Sequence, residues 1–356
     1  MNYGKYIVLA VLWLYGTGGT SAPADAQSGA PSPHGQASGD PFAPDGPFGQ
    51  TTASVQALTL SGKDTLYAGS FGHGIFRSAD RGATWAAVGT GVNDPFILSL
   101  ATGRDGAIYA GTFRSGVFRS KDEGKSWQAI NTGFKRLEIK SILVAADGVY
   151  AGTGDGVYRL NQAGDKWSIV TTGLNDILVQ ALARSADGTL YAGTSGKGVL
   201  RFKQSATGWT RMQHGLKDHE GMIENFIRVL AIDREQGLYA GTFDGGVFRS
   251  ADGGATWKAI SRALPNDSIR GIITIDDGLI VATGNGIFKT VDKGRQWTPL
   301  NKGLTNLSIQ VLIGDGNGPL YVGTSSGVFR SDDGTSWAPI NQGLEAGLAP
   351  PPFMFR

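Results

Sequence analysis

The chain has 356 residues, with 32 Lys and Arg against 30 Asp and Glu, so its formal net charge is only +2 at pH 7. This balance gives no general case for binding nucleic acid or acidic membranes. Cys is absent, which excludes disulfides, Cys-ligated zinc and thiol catalysis.

The N-terminus is typical of a secretory signal peptide, which we place at residues 1–26. Lys5 supplies a positive start, residues 6–15 form a short apolar stretch, and Ala24-Asp25-Ala26 offers an A-x-A cleavage site. The stretch is short for a membrane span, although an uncleaved anchor is the alternative. We therefore expect a periplasmic or extracellular protein with no membrane span in the mature chain.

Residues 27–50 are rich in Pro, Gly and Ser and lack periodic apolar positions, which predicts a disordered linker. Residues 346–356 also fall outside the repeat described next, and we treat them as a C-terminal tail.

Between these segments, seven tryptophans recur at steps of about 40 residues, with one longer step of 48 between Trp209 and Trp257. They are Trp85, Trp127, Trp167, Trp209, Trp257, Trp297 and Trp337. A fixed period of this length indicates one repeated structural unit.

Each unit contains four short runs rich in Val, Ile, Leu, Tyr and Phe, separated by Gly, Asp, Asn and Ser clusters. Such runs are typical of strands joined by tight turns. Four strands in about 40 residues describe one blade of a propeller. We predict an all-β fold, a seven-bladed β-propeller of four-stranded antiparallel blades spanning residues 51–345.

The segment before each Trp is the most specific motif. Ser78–Trp85, Ser120–Trp127 and Ser250–Trp257 fit the pattern S-x-D-x-G-x-[TS]-W, and the units ending at Trp297 and Trp337 fit it nearly. The third and fourth units lose the Asp, with Ala163 at or near its place in the third. These segments resemble the Asp box, also called the BNR repeat. The resemblance covers residues 54–344.

The resemblance to Asp-box propellers implies that these hairpins join the outer two strands and lie away from the ligand face. An Asp carboxylate can accept N–H groups within its own turn, and Gly allows a positive φ. We therefore expect a structural role for the boxes and assign no catalytic residue. Members of this group include sialidases, xyloglucanases, sortilin-like and photosystem II assembly factor-like propellers.

Function is expected as variation on this uniform frame. One position, the second residue of each innermost strand, is polar in six blades and cationic in three of them. Its polar members are Gln56, Lys140, Gln180, Arg228, Arg270 and Gln310, and the seventh member is Leu98. Such a ring at the channel mouth could bind a carboxylate, a sulfate or a sugar, or simply bond to loop carbonyls and water.

The insertion between the fourth and fifth units is the second candidate site. It holds His214, Asp218, His219 and Glu224, and His73 lies in a loop predicted on the same face. The spacing matches no familiar metal-ligand motif, so we predict a polar ligand-binding loop with no metal and no cofactor.

The leading interpretation is an exported, non-catalytic, monomeric propeller that binds a protein or glycan partner, as an assembly or scaffolding factor. The alternative is a carbohydrate-active enzyme, a glycoside hydrolase of sialidase-like or xyloglucanase-like type. Such an enzyme needs paired carboxyls, and the loop carboxylates Asp94, Asp176, Asp218, Glu224 and Asp267 show no pattern that pairs them.

Overall fold

The computed structural model describes residues 52–217, 226–314 and 318–344. The predicted signal peptide, linker and tail, and the loop residues Asp218, His219 and Glu224, lie outside the described residues. Within the described residues all regular structure is β, in 28 strands that form seven four-stranded antiparallel sheets. The predicted fold class is confirmed.

Blade one contains β1 (Val55–Ser61), β2 (Thr65–Ser70), β3 (Ile75–Ser78) and β4 (Ala86–Ala87). Blade two contains β5 (Ile97–Thr102), β6 (Ile108–Thr112), β7 (Val117–Ser120) and β8 (Gln128–Ala129). Blade three contains β9 (Ile139–Ala145), β10 (Gly148–Thr153), β11 (Gly156–Leu160) and β12 (Trp167–Ile169). Blade four contains β13 (Val179–Arg184), β14 (Leu190–Thr194), β15 (Val199–Phe202) and β16 (Thr210–Met212).

Blade five contains β17 (Ile227–Ile232), β18 (Leu238–Thr242), β19 (Val247–Ser250) and β20 (Lys258–Ala259). Blade six contains β21 (Ile269–Ile275), β22 (Gly278–Thr283), β23 (Gly286–Thr290) and β24 (Thr298–Pro299). Blade seven contains β25 (Ile309–Ile313), β26 (Leu320–Thr324), β27 (Gly327–Ser331) and β28 (Ala338–Pro339).

The first strand of each blade packs beside the first strand of the next, and the last of these, β25, packs against β1. The seven first strands therefore form a closed ring around the central channel, and the short fourth strands lie at the outer rim. Apolar clusters fill the spaces between successive blades. The cluster at the closure combines Ala53, Val55 and Trp85 with Val328 and Leu344.

In four blades the tryptophan side chain is hydrogen-bonded to the blade before it. The indole Nε1 of Trp85 donates to the carbonyl of Ile340 at 2.7 Å, and that of Trp127 donates to the carbonyl of Val88 at 2.6 Å. Trp167 and Trp337 repeat this bond to the preceding blade. At these joints the large apolar ring packs between two blades, and its one buried donor fixes the distance between them.

The Asp boxes are closed turns, as their residue types predict. In blade one, Asp80 Oδ1 accepts the Thr84 N–H at 2.9 Å and Asp80 Oδ2 accepts the Thr84 hydroxyl at 2.6 Å. Gly82 N donates to Ser78 Oγ at 2.7 Å, and Gly82 has φ of 92°. In blade three Asn161 replaces the Asp, because its Oδ1 accepts the N–H groups of Asp165 and Lys166.

Candidate functional site

In every blade the predicted ring position, which is the second residue of the innermost strand, lies at a β-bulge. In each inner strand the first and third residues pair with adjacent residues of the neighbouring strand, which leaves the second as an extra residue. A bulge re-aims the side chain that it carries. The structure therefore brings the seven predicted residues to the same end of the seven inner strands, at one mouth of the channel.

The glutamines of the ring are held by their own blades. Each side-chain amide nitrogen donates to a serine hydroxyl, at 2.8–3.2 Å. The pairs are Gln56 with Ser54, Gln180 with Ser195, and Gln310 with Ser308. The amide oxygens of Gln56 and Gln180 are buried and have no hydrogen-bond partner. Lys140 forms an ion pair with Glu138 at 2.9 Å, which neutralises its charge locally.

Arg228 is the exception in this ring. Its side chain is only 1% exposed, and its Nη1 donates to Ser268 Oγ at 3.0 Å across the joint to blade six. The guanidinium carbon lies 4.2 Å from the ring centre of Phe243, which is close enough for a cation–π contact. Its Nε and Nη2 are buried without a hydrogen-bond partner. Such donors are uncommon in native structures, and each needs an explanation.

Arg270 occupies the same position in the next blade and also has a buried Nε without a partner. Desolvation, followed by repulsion from Arg270, lowers the pKa of Arg228 to about 9, while Asp244 acts weakly in the opposite direction. Burial also lowers the pKa of Arg270. Both groups are still cationic at pH 7, and within the described segments neither forms an ion pair with a carboxylate.

This arrangement can hold an anion. A guanidinium offers donors in a planar fork that matches a carboxylate or a sulfate, and a partly dehydrated fork binds such a group more strongly than one in water. Phe226, which directly precedes Ile227 of β17, is 48% exposed and offers an apolar surface at the start of the strand that carries Arg228.

Only part of the predicted loop site lies within the described residues. His73 and His214 are both exposed, and no hydrogen bond or ion pair joins them within the described residues. The carbonyl of His214 accepts the Trp257 N–H at 2.8 Å, so its backbone helps to dock blade five. The described residues contain no cluster of three or more His, Asp or Glu that could hold a metal ion.

Two of the loop carboxylates considered for hydrolysis have structural partners. Asp94 is 4% exposed and accepts the N–H groups of Phe96 and Arg114, at 3.0 and 2.7 Å. Asp176 forms an ion pair with Arg136 at 2.5 Å on the surface. Both carboxylates therefore hold their loops in place through these contacts.

Sequence reasoning located the ring but missed what distinguishes its members. The bulges and the unpaired guanidinium nitrogens depend on neighbouring strands, which a single sequence does not show. The available signal was the identity of the residues at one repeat position, where two adjacent blades place arginine in succession.

No family model matches the chain, and no curated protein matches it in sequence. The Asp-box resemblance therefore depends on the residues quoted above. No helix in the described part of the chain is both long and apolar enough to cross a membrane.

Solved structures share the fold. The extracellular domain of a hybrid two-component system from B. thetaiotaomicron is 16% identical with a TM-score of 0.64, covering 81% of this chain and 40% of that one. A GH74 enzyme from Niastella koreensis is 15% identical with a TM-score of 0.66, covering 83% and 55%. YCF48 bound to D1 peptide is 14% identical with a TM-score of 0.60, covering 78% and 92%.

The chain spans about half or less of the first two of these proteins and most of the third. At these identities the likeness is to the propeller fold, which supports different functions in different proteins.

Proposed function

We propose that this protein is an exported, non-catalytic recognition propeller that binds an anionic group of a protein or glycan partner at the channel mouth. The observation that carries this proposal is Arg228, a guanidinium that is 1% exposed and has two nitrogens without a hydrogen-bond partner in the described part of the chain. A buried cation without a counter-ion destabilises the fold, so a ligand that supplies the missing charge explains its position.

The neighbouring Arg270 strengthens the proposal. Burial first, and repulsion from the like charge of Arg270 second, lower the pKa of Arg228. An anion between them would relieve this repulsion and accept the unused N–H groups at the same time. The other polar members, Gln56, Lys140, Gln180 and Gln310, would line the rest of the mouth and contact the remainder of the partner.

The similar solved structures are compatible with this proposal. One is an extracellular domain and another is bound to a peptide. The exposed His73 and His214, with Asp218, His219 and Glu224 of the insertion, are proposed to extend the contact surface on that face. Export follows from the predicted signal peptide and is part of the same proposal.

A glycoside hydrolase is the alternative, since a GH74 enzyme shares the fold. Hydrolysis needs two carboxyl groups about 5–10 Å apart in one pocket. Asp94 and Asp176 are already held by other groups, so the site's chemistry favours binding over hydrolysis.

The test is a glycan and peptide array probed with the full chain and with an Arg228→Gln/Arg270→Gln variant. The matched control is Arg81→Gln/Arg234→Gln, which removes two exposed cations from ion pairs elsewhere. We expect a set of acidic ligands to bind the wild type and the control and to fail to bind the channel-mouth variant. The proposal would be contradicted if every ligand bound all three proteins equally, or if an arrayed glycan were hydrolysed.

A further inference from the structure

A groove of about 840 Å³ lies on the face opposite the channel mouth, around blade three. It is lined by the last residues of inner strands and the turns that follow them, such as Val144–Gly148, whereas Lys140 of the mouth begins the same strand. This volume is within the range of small-ligand sites, about 300–1,000 Å³. The groove is therefore separate from the site proposed above.

Next to the groove, which Val170 lines, blades three and four join differently from most other pairs of neighbouring blades. In five joints a glycine before the inner strand lies against the carbonyl of the next blade's Trp, so that a Cβ would approach that oxygen within 2.6 Å. These are Gly91, Gly133, Gly215, Gly303 and Gly343. At the equivalent Gly173 a Cβ would meet nothing within 4 Å.

Blade four also lacks the box Asp at this joint. Where the box is intact, its glycine packs on the preceding blade, as Gly82 does on Ile340 and Gly124 does on Val88. In blade four Ala206 stands at the position of that glycine, and a Cβ added to Gly208, the residue before the Trp, would meet nothing within 4 Å. A weak bond from the Thr171 hydroxyl to the Thr207 carbonyl, at 3.3 Å, crosses the joint there.

Arg159 makes a different contact. Two of its counterparts reach the turn before the Trp of the next blade: Arg119 donates to the Gly164 carbonyl at 2.7 Å, and Arg201 donates to the Gly253 carbonyl at 3.2 Å. Arg159 instead donates from its Nη2 to the carbonyl of Asp147 at 2.5 Å within its own blade. Its side chain is 45% exposed and lines the groove.

Cations outnumber acids along the groove. Five line it, namely Arg104, Arg119, Lys121, Arg159 and Arg184, against the two carboxylates Asp105 and Asp147. Asp147 is already shared, because it accepts the Tyr150 hydroxyl at 2.7 Å and Arg184 at 2.9 Å. An excess of three positive charges in a concave site attracts anions.

The apolar part of the lining sets the ligand class. Val149, Ile169, Val170, Leu190 and Phe202 also face the groove, so cationic and apolar groups alternate within one ligand-sized space. A sugar ring presents an apolar face and an equatorial edge of polar groups, which suits such a lining. We infer that this groove binds a short acidic oligosaccharide through its carboxylate or sulfate groups.

The experiment is isothermal titration of the full chain with four probes. Trigalacturonate carries carboxylates, a heparin-derived disaccharide carries sulfates, cellotriose is neutral, and an oligoglutamate peptide is acidic without being a sugar. We expect one of the acidic sugars to bind at least tenfold more tightly than cellotriose and the peptide. The better acidic sugar identifies the anionic group that the groove prefers.

Two variants assign that binding to the groove. Arg159→Gln/Arg184→Gln should weaken it at least tenfold, because each arginine would lose its charge-assisted bonds to the ligand. Arg104→Glu/Lys121→Glu, at exposed positions that cannot disturb packing, should weaken it as well. The channel-mouth variant Arg228→Gln/Arg270→Gln should retain it, which separates this inference from the proposed function.

Three outcomes would overturn the inference. They are no binding of either acidic sugar, binding that falls equally in the Arg81→Gln/Arg234→Gln control, and tighter binding of the peptide than of the sugars.

Discussion

At the scale of the residue, Arg228 is the ring member whose contacts a purely structural role explains least. Blade two carries Leu98 at the same bulge, and that side chain is also 1% exposed. The chain itself therefore shows that an apolar residue fits this position. If Arg228 served the fold, its replacement by leucine would be harmful.

We expect Arg228→Leu to stabilise the unliganded protein by about 1–3 kcal/mol, because it removes a desolvated charge that forms no ion pair with a carboxylate of the described residues. Thermal and urea unfolding measure this change, with Arg234→Leu as the exposed control. A clear loss of stability in Arg228→Leu would assign the guanidinium to structure.

The box carboxylates predict how stability responds to acid. Hydrogen bonds from Thr84, Ser126 and Thr256 lower the pKa of Asp80, Asp122 and Asp252 from 3.8 to about 2. A carboxyl group with a lowered folded-state pKa stabilises the fold above its unfolded pKa, and this contribution is lost as pH falls.

The melting temperature should therefore fall between about pH 4 and pH 2 by more than in an Asp80→Asn/Asp122→Asn/Asp252→Asn variant. Melting curves from pH 7 to pH 2 compare the two proteins. An identical acid dependence in wild type and variant would show that the boxes are not the groups titrating.

At the scale of the element, the indole bonds between blades differ from one joint to another. Trp337 donates to the Leu300 carbonyl at 2.6 Å, whereas the Nε1 of Trp257 is buried with no partner. Both side chains are almost fully buried, at 5% and 3% exposed, so they form a matched pair.

Trp337→Phe should destabilise the protein by about 1–3 kcal/mol more than Trp257→Phe, because it also leaves a buried carbonyl without its donor. Chemical denaturation of the two variants measures the difference. Equal losses would mean that ring volume alone determines the stability of the joint.

The joint glycines provide a second matched pair. Gly133 and Gly173 occupy the same repeat position with φ of 100° and 105°, but a Cβ at Gly133 would lie 2.0 Å from the Trp167 carbonyl oxygen. Gly133→Ala should therefore be much more destabilising than Gly173→Ala, beyond the strain of about 1–2 kcal/mol that both share.

Melting temperatures of the two alanine variants test this difference directly. Similar values would contradict the open joint between blades three and four.

The blades and their turns were predictable from the sequence because they depend on local residues. The period of the tryptophans, the alternation of strand runs and the box turns each involve residues close together in the chain, so blade number and strand order follow from the sequence. The box turn of blade three shows the limit of such predictions, because a different side chain, that of Asn161, closes it from a shifted position. Bulge geometry, the orphaned nitrogens of Arg228 and the open joint at Gly173 depend on contacts between blades, which no single repeat encodes.

At the scale of the whole molecule, the ring closes without exchanging strands. Blade one and blade seven are each built from a continuous stretch of chain. They are joined by the Ala53 N–H to the Leu344 carbonyl at 3.2 Å, and by Trp85 N to the Gln342 carbonyl at 2.8 Å. Leu344 is fully buried at this closure.

A chain ending at residue 340 should therefore lose stability sharply, because it lacks both carbonyls and the Leu344 side chain, whose burial alone is worth about 2–3 kcal/mol. A chain ending at residue 345 keeps all of these contacts and serves as the control. Comparable melting temperatures for the two truncated chains would contradict this view of the closure.

Arg228 and Arg270 are proposed to bind an anion at the channel mouth, and calorimetric titration tests this directly. Succinate, a simple dicarboxylate, is titrated into the full chain and into Arg228→Gln/Arg270→Gln at constant ionic strength. We expect saturable binding to the wild type and to Arg81→Gln/Arg234→Gln, and its loss in the channel-mouth variant. Absence of binding to the wild type, or unchanged binding to the channel-mouth variant, would contradict it.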